Sequence, residues 1–294
     1  MGLYVPANWL AACKAADKYQ ILLGRRIRVL SFYEAWERAD QPPDVAGIES
    51  VLKSGYTPMI TWEPWERVDV LTDSRRKPWD QPFFSLSALA SGQYDAYIRT
   101  WALGLKKLSA PILFRPMHEM NGDWYPWCGT VNGNNPGDFV AAWKYIRSLF
   151  REAGDDKLVW VWSPYTESVP DAPGNQVRDY FPGEEEVDCL ALDGYNWGSA
   201  REWSRWQSFS EVFMKGYKRL VALSKTKPVM IGEVGCAEEG GDKSRWIAET
   251  SQALRDDFAR ITGLIWFNTN KECDWRIESS RETIDSFKIN WIET

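Results

Sequence analysis

The sequence predicts an α/β protein that forms a single (β/α)8 TIM barrel. Short runs rich in β-branched and aromatic residues alternate with longer amphipathic stretches, a pattern typical of repeated βα units and a parallel sheet. We count eight such units in 294 residues, and barrels often use this length as one domain. The motifs GxGxxG and GxxxxGK[ST] of nucleotide-binding open sheets are absent, which favours a closed barrel.

The strands are predicted from short apolar runs. In chain order they are residues 3–6, 27–33, 57–62, 112–117, 158–163, 187–193, 229–233 and 263–267. Each is followed by a plausible helix, for example 8–23, 44–54, 94–108, 138–152, 210–224 and 243–260. Asp44 and Asp138 stand where an acidic side chain caps free N–H groups at a helix start. No Pro-rich or Ser/Gly-rich linker interrupts the pattern, so one domain is expected over residues 1–294.

Composition excludes several classes of function. The net charge of -6 leaves no basic surface for a phosphate backbone, so nucleic acid is not an expected partner. No run approaches the roughly 18 apolar residues of a membrane span, and the N-terminus has no signal-like charged and apolar regions. We expect a monomer that acts outside the cell as a mature domain, with a cytoplasmic location left open.

Metal and cofactor chemistry is also not expected. The five cysteines form no CxxC pair and have no neighbouring histidine, and their odd number leaves room for one disulfide but not for a complete framework. The chain has a single histidine, His118, which excludes a His-rich metal centre.

Two carboxylates stand at matching strand ends. Glu119 follows the fourth predicted strand in RPMHEMNG, and Glu233 ends the seventh in IGEVG. Reactive groups of such barrels collect at the C-terminal ends of the strands, so both side chains should face one mouth. Paired carboxyl groups about 5 to 5.5 Å apart hydrolyse glycosides with retention, one as acid/base and the other as nucleophile.

The surroundings of the two residues favour separate roles. The aromatic residues Trp124 and Trp127 follow Glu119, and an apolar wall keeps a carboxyl group protonated. Tyr195, at the end of the sixth strand, is placed to donate a hydrogen bond to Glu233. Arg115 has the same strand parity as Glu119 and is expected to supply positive charge inside the barrel.

Other interpretations of these residues stay open. Glu63 and Glu34 are the main rivals as catalytic carboxylates. His118 is at least as well explained by orienting a neighbour as by proton transfer, and Asp193 by capping a loop as by binding a sugar.

A core explains at least half of the 18 Trp, 12 Tyr and 12 Phe, and the others stand near strand ends, where a flat ring can stack on a sugar. Trp62, Trp162 and Trp266 fit either sugar stacking or barrel packing.

The stretch FRPMHEMNGDWYPWCG resembles the strand-four motif of glycoside hydrolase family 26. IGEVG is similar to the strand-seven motif of that family, LALDGYNWG to its strand-six segment, GLIWFNTNKECDWR to its strand-eight segment and GLYVP to its first strand. The resemblance therefore covers nearly the whole chain. It implies no cofactor and a polysaccharide or oligosaccharide substrate.

The resemblance implies a role for each matching residue. Glu119 is then the acid/base, Glu233 the nucleophile and Tyr195 the partner of the nucleophile. It also implies that the cleft is lined by His118, Asn121, Trp124, Asp193 and Trp266. Trp62 and Arg115 complete the set that we expect to bind substrate.

The resemblance implies an endo-β-1,4-mannanase or a related enzyme, since smaller groups of the family cut mixed-linkage β-1,3-1,4-glucan or xylan. Mannanases of the family typically carry an additional histidine in the early strands, where this chain has Thr61-Trp62-Glu63-Pro64-Trp65. Mannan and β-glucan therefore both remain as substrates, with endo action expected.

Two rival classes of function remain. The first is a non-catalytic barrel that binds glycans through its tryptophans. The second is a metabolic barrel acting on a sugar phosphate or through a Schiff base, which predicts a lysine at a strand end and a phosphate-binding loop. No predicted strand ends in lysine, and Gly240-Gly241 lies among acidic residues that repel phosphate.

Overall fold

Eight parallel strands close into a barrel in chain order, with the first strand paired to the eighth. The computed structural model describes residues 1–67, 77–155 and 157–290. The predicted (β/α)8 fold is therefore confirmed. None of the helices in the described part of the chain has the length and apolar character needed to cross a membrane.

The strands agree with the predicted runs to within three residues at either end. They are β1 (Gly2–Tyr4), β2 (Val29–Ala35), β3 (Thr57–Glu63), β4 (Ile112–Pro116), β5 (Leu158–Trp162), β6 (Cys189–Asn196), β7 (Val229–Cys236) and β8 (Ile261–Phe267). The largest difference is at the ends of β6 and β7, which continue beyond Asp193 and Glu233 because the two strands pair as far as Asn196 and Cys236.

The helices surround the barrel. They are α1 (Trp9–Leu23), α2 (Val45–Lys53), α3 (Leu86–Leu89), α4 (Asp95–Leu105), α5 (Pro136–Glu152), α6 (Phe209–Leu223), α7 (Lys243–Asp256) and α8 (Arg281–Asn290). Asp44 caps α2 by accepting from Gly47 N, as predicted. Asp138 lies inside the first turn of α5 and forms a capping box with Asn135, so the chain satisfies the free N–H groups at this helix start.

One connection differs from the expected βα pattern. Between β5 and β6, where every residue is described, the chain forms two 3-10 helices, Val177–Tyr180 and Glu184–Glu186, instead of an α-helix. Proline and glycine recur through this segment and interrupt regular helix hydrogen bonding. All five cysteines of the chain are free thiols, so the disulfide that the sequence left open does not form.

The interior of the barrel is layered. The layer nearer the N-terminal ends of the strands is apolar and consists of Met59, Val161, Cys189, Ala191, Met230 and Ile265. Two residues further along their strands, Thr61, Ser163 and Asp193 form a buried polar layer, since side chains on a strand alternate between its two faces. Arg115 joins them and has no exposed surface.

A β-bulge in β7 interrupts the alternation. Ile231 pairs with Leu192, but Glu233 pairs with Asp193, so Gly232 has no partner on β6. The pairing of β7 with β8 also contains an additional residue between Ile231 and Val234. Bulges redirect side chains, and this one lets both Gly232 and Glu233 face the barrel interior.

We predict that Gly232→Ala destabilises the protein. The added Cβ would lie 2.5 Å from Asp193 Oδ1 and 3.0 Å from Arg115 Nη1, inside a packed charged layer. Overpacking of this kind lowers the free energy of unfolding by about 1–3 kcal/mol. Denaturant-induced unfolding measures the change.

The matched control is Gly263→Ala in β8, where an added Cβ meets no atom within 4 Å. Equal unfolding midpoints for the two variants would contradict the prediction, because they would mean that a Cβ at residue 232 fits beside Asp193 without loss of stability.

Candidate active site

The chain after β4 has an unusual backbone. Met117 and Glu119 both adopt positive φ angles, 50° and 54°, although neither is glycine. Two hydrogen bonds hold this conformation: Met117 N donates to Trp62 O at 3.1 Å, and Glu119 N donates to Ser163 O at 2.7 Å. Strained backbone that neighbouring strands hold in place is a feature of functional sites, and here it positions a carboxylate at the barrel mouth.

Glu119 and Glu233 face each other across this mouth. A carboxylate oxygen of Glu119, a carboxylate oxygen of Glu233 and a ring nitrogen of His118 all lie within 4.8 Å of one another. Both carboxylates are buried, with 6% and 4% of their surface exposed. This proximity matches the separation of about 5 to 5.5 Å between the carboxyl groups of retaining glycosidases.

Glu233 is surrounded by groups that stabilise an anion. Arg115 Nη2 donates to its Oε1 at 2.5 Å, and the Tyr195 hydroxyl donates to Oε2. The charge-assisted hydrogen bond from Arg115 favours the ionised carboxylate that a nucleophile requires. His118 Nε2 lies 3.7 Å from Oε1, beyond hydrogen-bond distance.

Arg115 is itself held by neighbouring strands. Its Nη1 donates to both carboxylate oxygens of Asp193 at 2.9 Å, and its Nε and Nη2 donate to Thr61 Oγ1. Ser163 donates to Asp193 at 2.9 Å. Burial alone would lower the pKa of Arg115, but the charges of Asp193 and Glu233 outweigh it and raise that pKa.

Glu119 lies in a different environment. Burial raises the pKa of Glu119 well above its ordinary value, and the nearby negative charge of Glu233 adds to the effect. The Trp124 indole donates to Glu119 Oε2 at 2.8 Å and acts in the opposite direction. A carboxyl group with these surroundings keeps its proton near neutral pH, as a general acid must.

The two remaining titratable partners stay uncharged. Burial, and to a lesser extent the charge of Glu233, raises the pKa of Tyr195. Its hydroxyl therefore stays protonated and donates a hydrogen bond to Glu233. Burial, then the charges of Arg115 and Lys271, lowers the pKa of His118. His118 is therefore a neutral imidazole and adds no positive charge beside Glu233.

His118, Glu119 and Glu233 are also close enough to contact one metal ion. Arg115, however, already bonds to Glu233 Oε1, and its positive charge repels a second cation at that oxygen. The arrangement therefore suits proton transfer and nucleophilic attack better than metal binding.

The prediction that Trp62 and Trp266 contact substrate is wrong. Both have no exposed surface and lie on the outer face of the barrel. Trp62 packs against Trp101 of α4, while Trp266 packs against Phe287 of α8. The cause is strand parity, because their neighbours Thr61 and Phe267 belong to the inward face. Trp162 is buried in the same way.

Three other predicted substrate contacts are also corrected. Asn121 is fully buried and holds the backbone of Tyr165, donating to its carbonyl at 3.0 Å and accepting from its N–H at 2.8 Å. Arg115 and Asp193 are fully buried as well and act on Glu233 through their ion pairs. These residues position the site because their polar groups are already satisfied within the protein.

The structure places Trp124, Tyr195 and His118 around the two carboxylates. Trp124 and Tyr195 are half-buried, and His118 packs against the ring of Tyr125 at 5.0 Å. Several half-buried aromatic residues of the same mouth were not predicted, namely Tyr33, Trp65, Tyr125, Tyr165 and Trp197. Tyr33 was detectable, since it lies one inward position beyond Ser31 on β2.

Glu63, one of the rival carboxylates, lies at the end of β3 with 4% of its surface exposed. Trp65 Nε1 donates to its Oε2 at 3.3 Å, and burial raises the pKa of Glu63 to about 7. Neither Glu63 nor Glu34 belongs to the close cluster formed by Glu119, Glu233 and His118 within the described part of the chain.

Comparison with known proteins gives consistent matches. The family profile described as glycosyl hydrolase family 26 matches residues 79–284. Endoglucanase H of Acetivibrio thermocellus is 34% identical over 283 residues, covering 93% of this chain and 28% of that protein. A mannan endo-1,4-beta-mannosidase of Bacillus subtilis (strain 168) is 30% identical over 158 residues, covering 51% of this chain and 38% of that protein. The chain thus spans about a third of the length of these relatives.

Solved structures share the fold. The YdhT protein of Bacillus subtilis superposes with a TM-score of 0.66 at 20% identity, covering 100% of this chain and 84% of that one. A β-mannanase of Bacteroides ovatus superposes with a TM-score of 0.62 at 17% identity, covering 95% of this chain and 90% of that one. At these identities the likeness establishes the barrel alone.

We predict that Glu63→Gln changes the pH dependence of stability. The folded protein holds a proton on Glu63 up to about pH 7, whereas the unfolded chain releases it near the ordinary value of 4.5. The free energy of unfolding therefore falls as the pH rises from about 4.5 to about 7. Above pH 7 the burial of ionised Glu63 lowers the free energy of unfolding by about 3 kcal/mol. Glutamine cannot ionise, so the variant should gain stability relative to wild type at pH 8 but not at pH 4.

The exposed Glu202→Gln serves as the control for this measurement by denaturant unfolding. Parallel stability curves for wild type and Glu63→Gln across the whole pH range would contradict the prediction.

Proposed function

The chain belongs to glycosyl hydrolase family 26, and from this membership we propose that it hydrolyses β-linked polysaccharide with retention of anomeric configuration. One observation carries the proposal: two carboxylates in contrasting environments lie within 4.8 Å of each other at the barrel mouth. A protonated Glu119 and an ionised Glu233 are the pair that a double displacement requires.

The first displacement forms a covalent intermediate. Glu119 donates its proton to the glycosidic oxygen while Glu233 attacks the anomeric carbon, so the leaving sugar departs as an alcohol and an ester forms on Glu233. Arg115 and Tyr195 fix the direction of the attacking oxygens through their hydrogen bonds to Glu233. The neutral His118 adds no charge that would compete with this attack.

The second displacement reverses the role of Glu119. Once the ester forms, the negative charge on Glu233 is gone, and with it one cause of the raised Glu119 pKa. Glu119, now deprotonated, accepts a proton from water, whose oxygen attacks the anomeric carbon and releases Glu233 as a carboxylate. Both carboxyl groups return to their starting protonation states.

For the substrate, we propose a β-glucan that contains β-1,4 bonds. The relative named endoglucanase aligns with almost the whole chain, while the mannosidase aligns with about half of it. Half-buried aromatic rings follow two different strands, with Trp65 after β3 and Trp197 after β6, and they support an extended cleft and endo action. Since such a polymer is too large to enter a cell intact, we propose that the protein acts outside the cell.

We predict that substitutions of the two carboxylates have different effects. Glu233→Ala should abolish hydrolysis of every substrate, because no group can form the covalent intermediate. Glu119→Ala should lose activity on polysaccharide by roughly 10²–10⁴-fold but retain it on aryl glycosides with good leaving groups, where azide should restore the rate of the second step. Initial rates measure both.

Glu239→Ala, in the exposed loop after β7, is the control and should behave as wild type. Wild-type activity in Glu233→Ala would refute the mechanism. NMR of the first product sugar should show the β-anomer, and an initial α-anomer would refute retention.

The substrate proposal predicts that reducing ends appear fastest on barley β-glucan and lichenan in a panel that also contains mannan and xylan. Oligosaccharides of several lengths should accumulate early, as endo action requires. A higher rate on mannan would replace the glucan assignment without affecting the mechanism, while inactivity on the whole panel would support the non-catalytic alternative.

A further inference from the structure

We propose that Trp203 forms a distal sugar-binding platform, which holds a pyranose ring of the β-linked chain beyond the rings at the catalytic carboxylates. Trp203 lies in residues 197–206, the segment that follows β6 and that we call the platform loop. Its side chain is 71% exposed. The inference rests on the proposed glycoside hydrolase function and adds a binding site to it.

The platform loop is held in place by hydrogen bonds to itself. Ser204 Oγ donates to Gly198 O at 2.8 Å and accepts from Arg201 N at 3.2 Å. At the base of the loop, Asn196 Oδ1 accepts from Gly198 N and from Gln207 N. The exposure of Trp203 is therefore a property of an ordered loop, which holds the indole in solvent before any ligand arrives.

The loop is also attached to its neighbours on the barrel rim. Ser199 N donates to Glu239 O at 3.0 Å, and Arg201 Nη2 donates to Glu272 O at 2.5 Å. Gly198 has a φ of 53°, and a Cβ there would lie 1.8 Å from Glu239 O, so the approach of the two loops requires glycine. These contacts connect the loop to the segments after β7 and β8.

A series of ring contacts connects Trp203 to the nucleophile. Trp203 lies 5.2 Å from Trp197, and Trp197 lies 6.2 Å from Tyr195, measured between ring centroids. Tyr195 donates to Glu233. Trp275 packs nearly perpendicular to Trp197, with 4.9 Å between the ring centroids. A sugar chain that leaves the carboxylates along these rings would meet Trp203 next.

The chemistry of this path suits a β-linked pyranose. The flat apolar face of an indole packs against the C–H face of a sugar ring, and the polar edge of the sugar stays in water. Arg201, whose guanidinium lies 5.7 Å from the Trp197 ring, brings donors for hydroxyl groups to the same rim. Isolated exposed apolar residues are ordinary on any protein surface, but Trp203 is part of a continuous aromatic path to the reacting centre.

The test compares Trp203→Ala and Trp203→Phe with wild type on polysaccharide and on a short aryl glycoside that reaches only the carboxylates. We expect Trp203→Ala to raise KM on polysaccharide by about two- to tenfold with kcat unchanged, the loss of one aromatic contact. Trp203→Phe should recover part of this loss, and the short substrate should be unaffected. Ile21→Ala, an exposed apolar residue on α1, is the matched control.

Two results would overturn the platform. One is an unchanged KM on polysaccharide for Trp203→Ala. The other is an equal loss on the short substrate, which would mean that the loop only supports the catalytic centre.

Binding separates the platform from the proposed function. In the Glu233→Ala background, calorimetry with a β-glucan oligosaccharide should show weaker affinity when Trp203→Ala is added. If wild type hydrolyses nothing but this binding difference persists, the hydrolase function fails and the platform stands. If hydrolysis occurs and affinity does not change, the platform fails alone.

Discussion

The buried ion pairs of Arg115 are the interaction on which the site depends. This guanidinium has no exposed surface and joins three strands, contacting Thr61 on β3, Asp193 on β6 and Glu233 on β7. A buried charge is costly unless its partners are placed around it, so these strands can hold only a narrow range of relative positions. Gly232 is part of this constraint, because any side chain there would collide with the Arg115–Asp193 pair.

The same constraint gives the two glutamates different electrostatic environments. Glu233 accepts hydrogen bonds from the Arg115 guanidinium and the Tyr195 hydroxyl. Glu119 is buried near the negative charge of Glu233 and accepts a hydrogen bond from one indole. Neither position follows from regular strand geometry. A β-bulge turns Glu233 inward, and a positive φ held by Ser163 O places Glu119 opposite it. Irregular backbone thus positions the chemistry on an otherwise regular barrel.

Aromatic residues have two distinct functions in this fold. Those on outward strand positions, such as Trp62 and Trp266, pack under the helices and stabilise the barrel. Those at the mouth, such as Trp124 and Trp197, remain half-buried. A position near a strand end does not distinguish the two groups, because successive side chains on a strand point to opposite faces. Thr61 and Phe267 face the barrel interior, so their neighbours Trp62 and Trp266 face the helices.

Sequence periodicity determined the eight strands and the single barrel, and it located Glu119 just after β4 and Glu233 on β7. These features follow from local alternation, which each segment carries in itself. The sequence also indicated Trp124 beside Glu119 and Tyr195 beside Glu233. The bulge at Gly232, the positioning roles of Asn121 and Asp193, and the ring path to Trp203 were decided only by tertiary structure. They depend on contacts between distant segments, on a one-residue bulge and on side-chain direction, none of which a local pattern encodes.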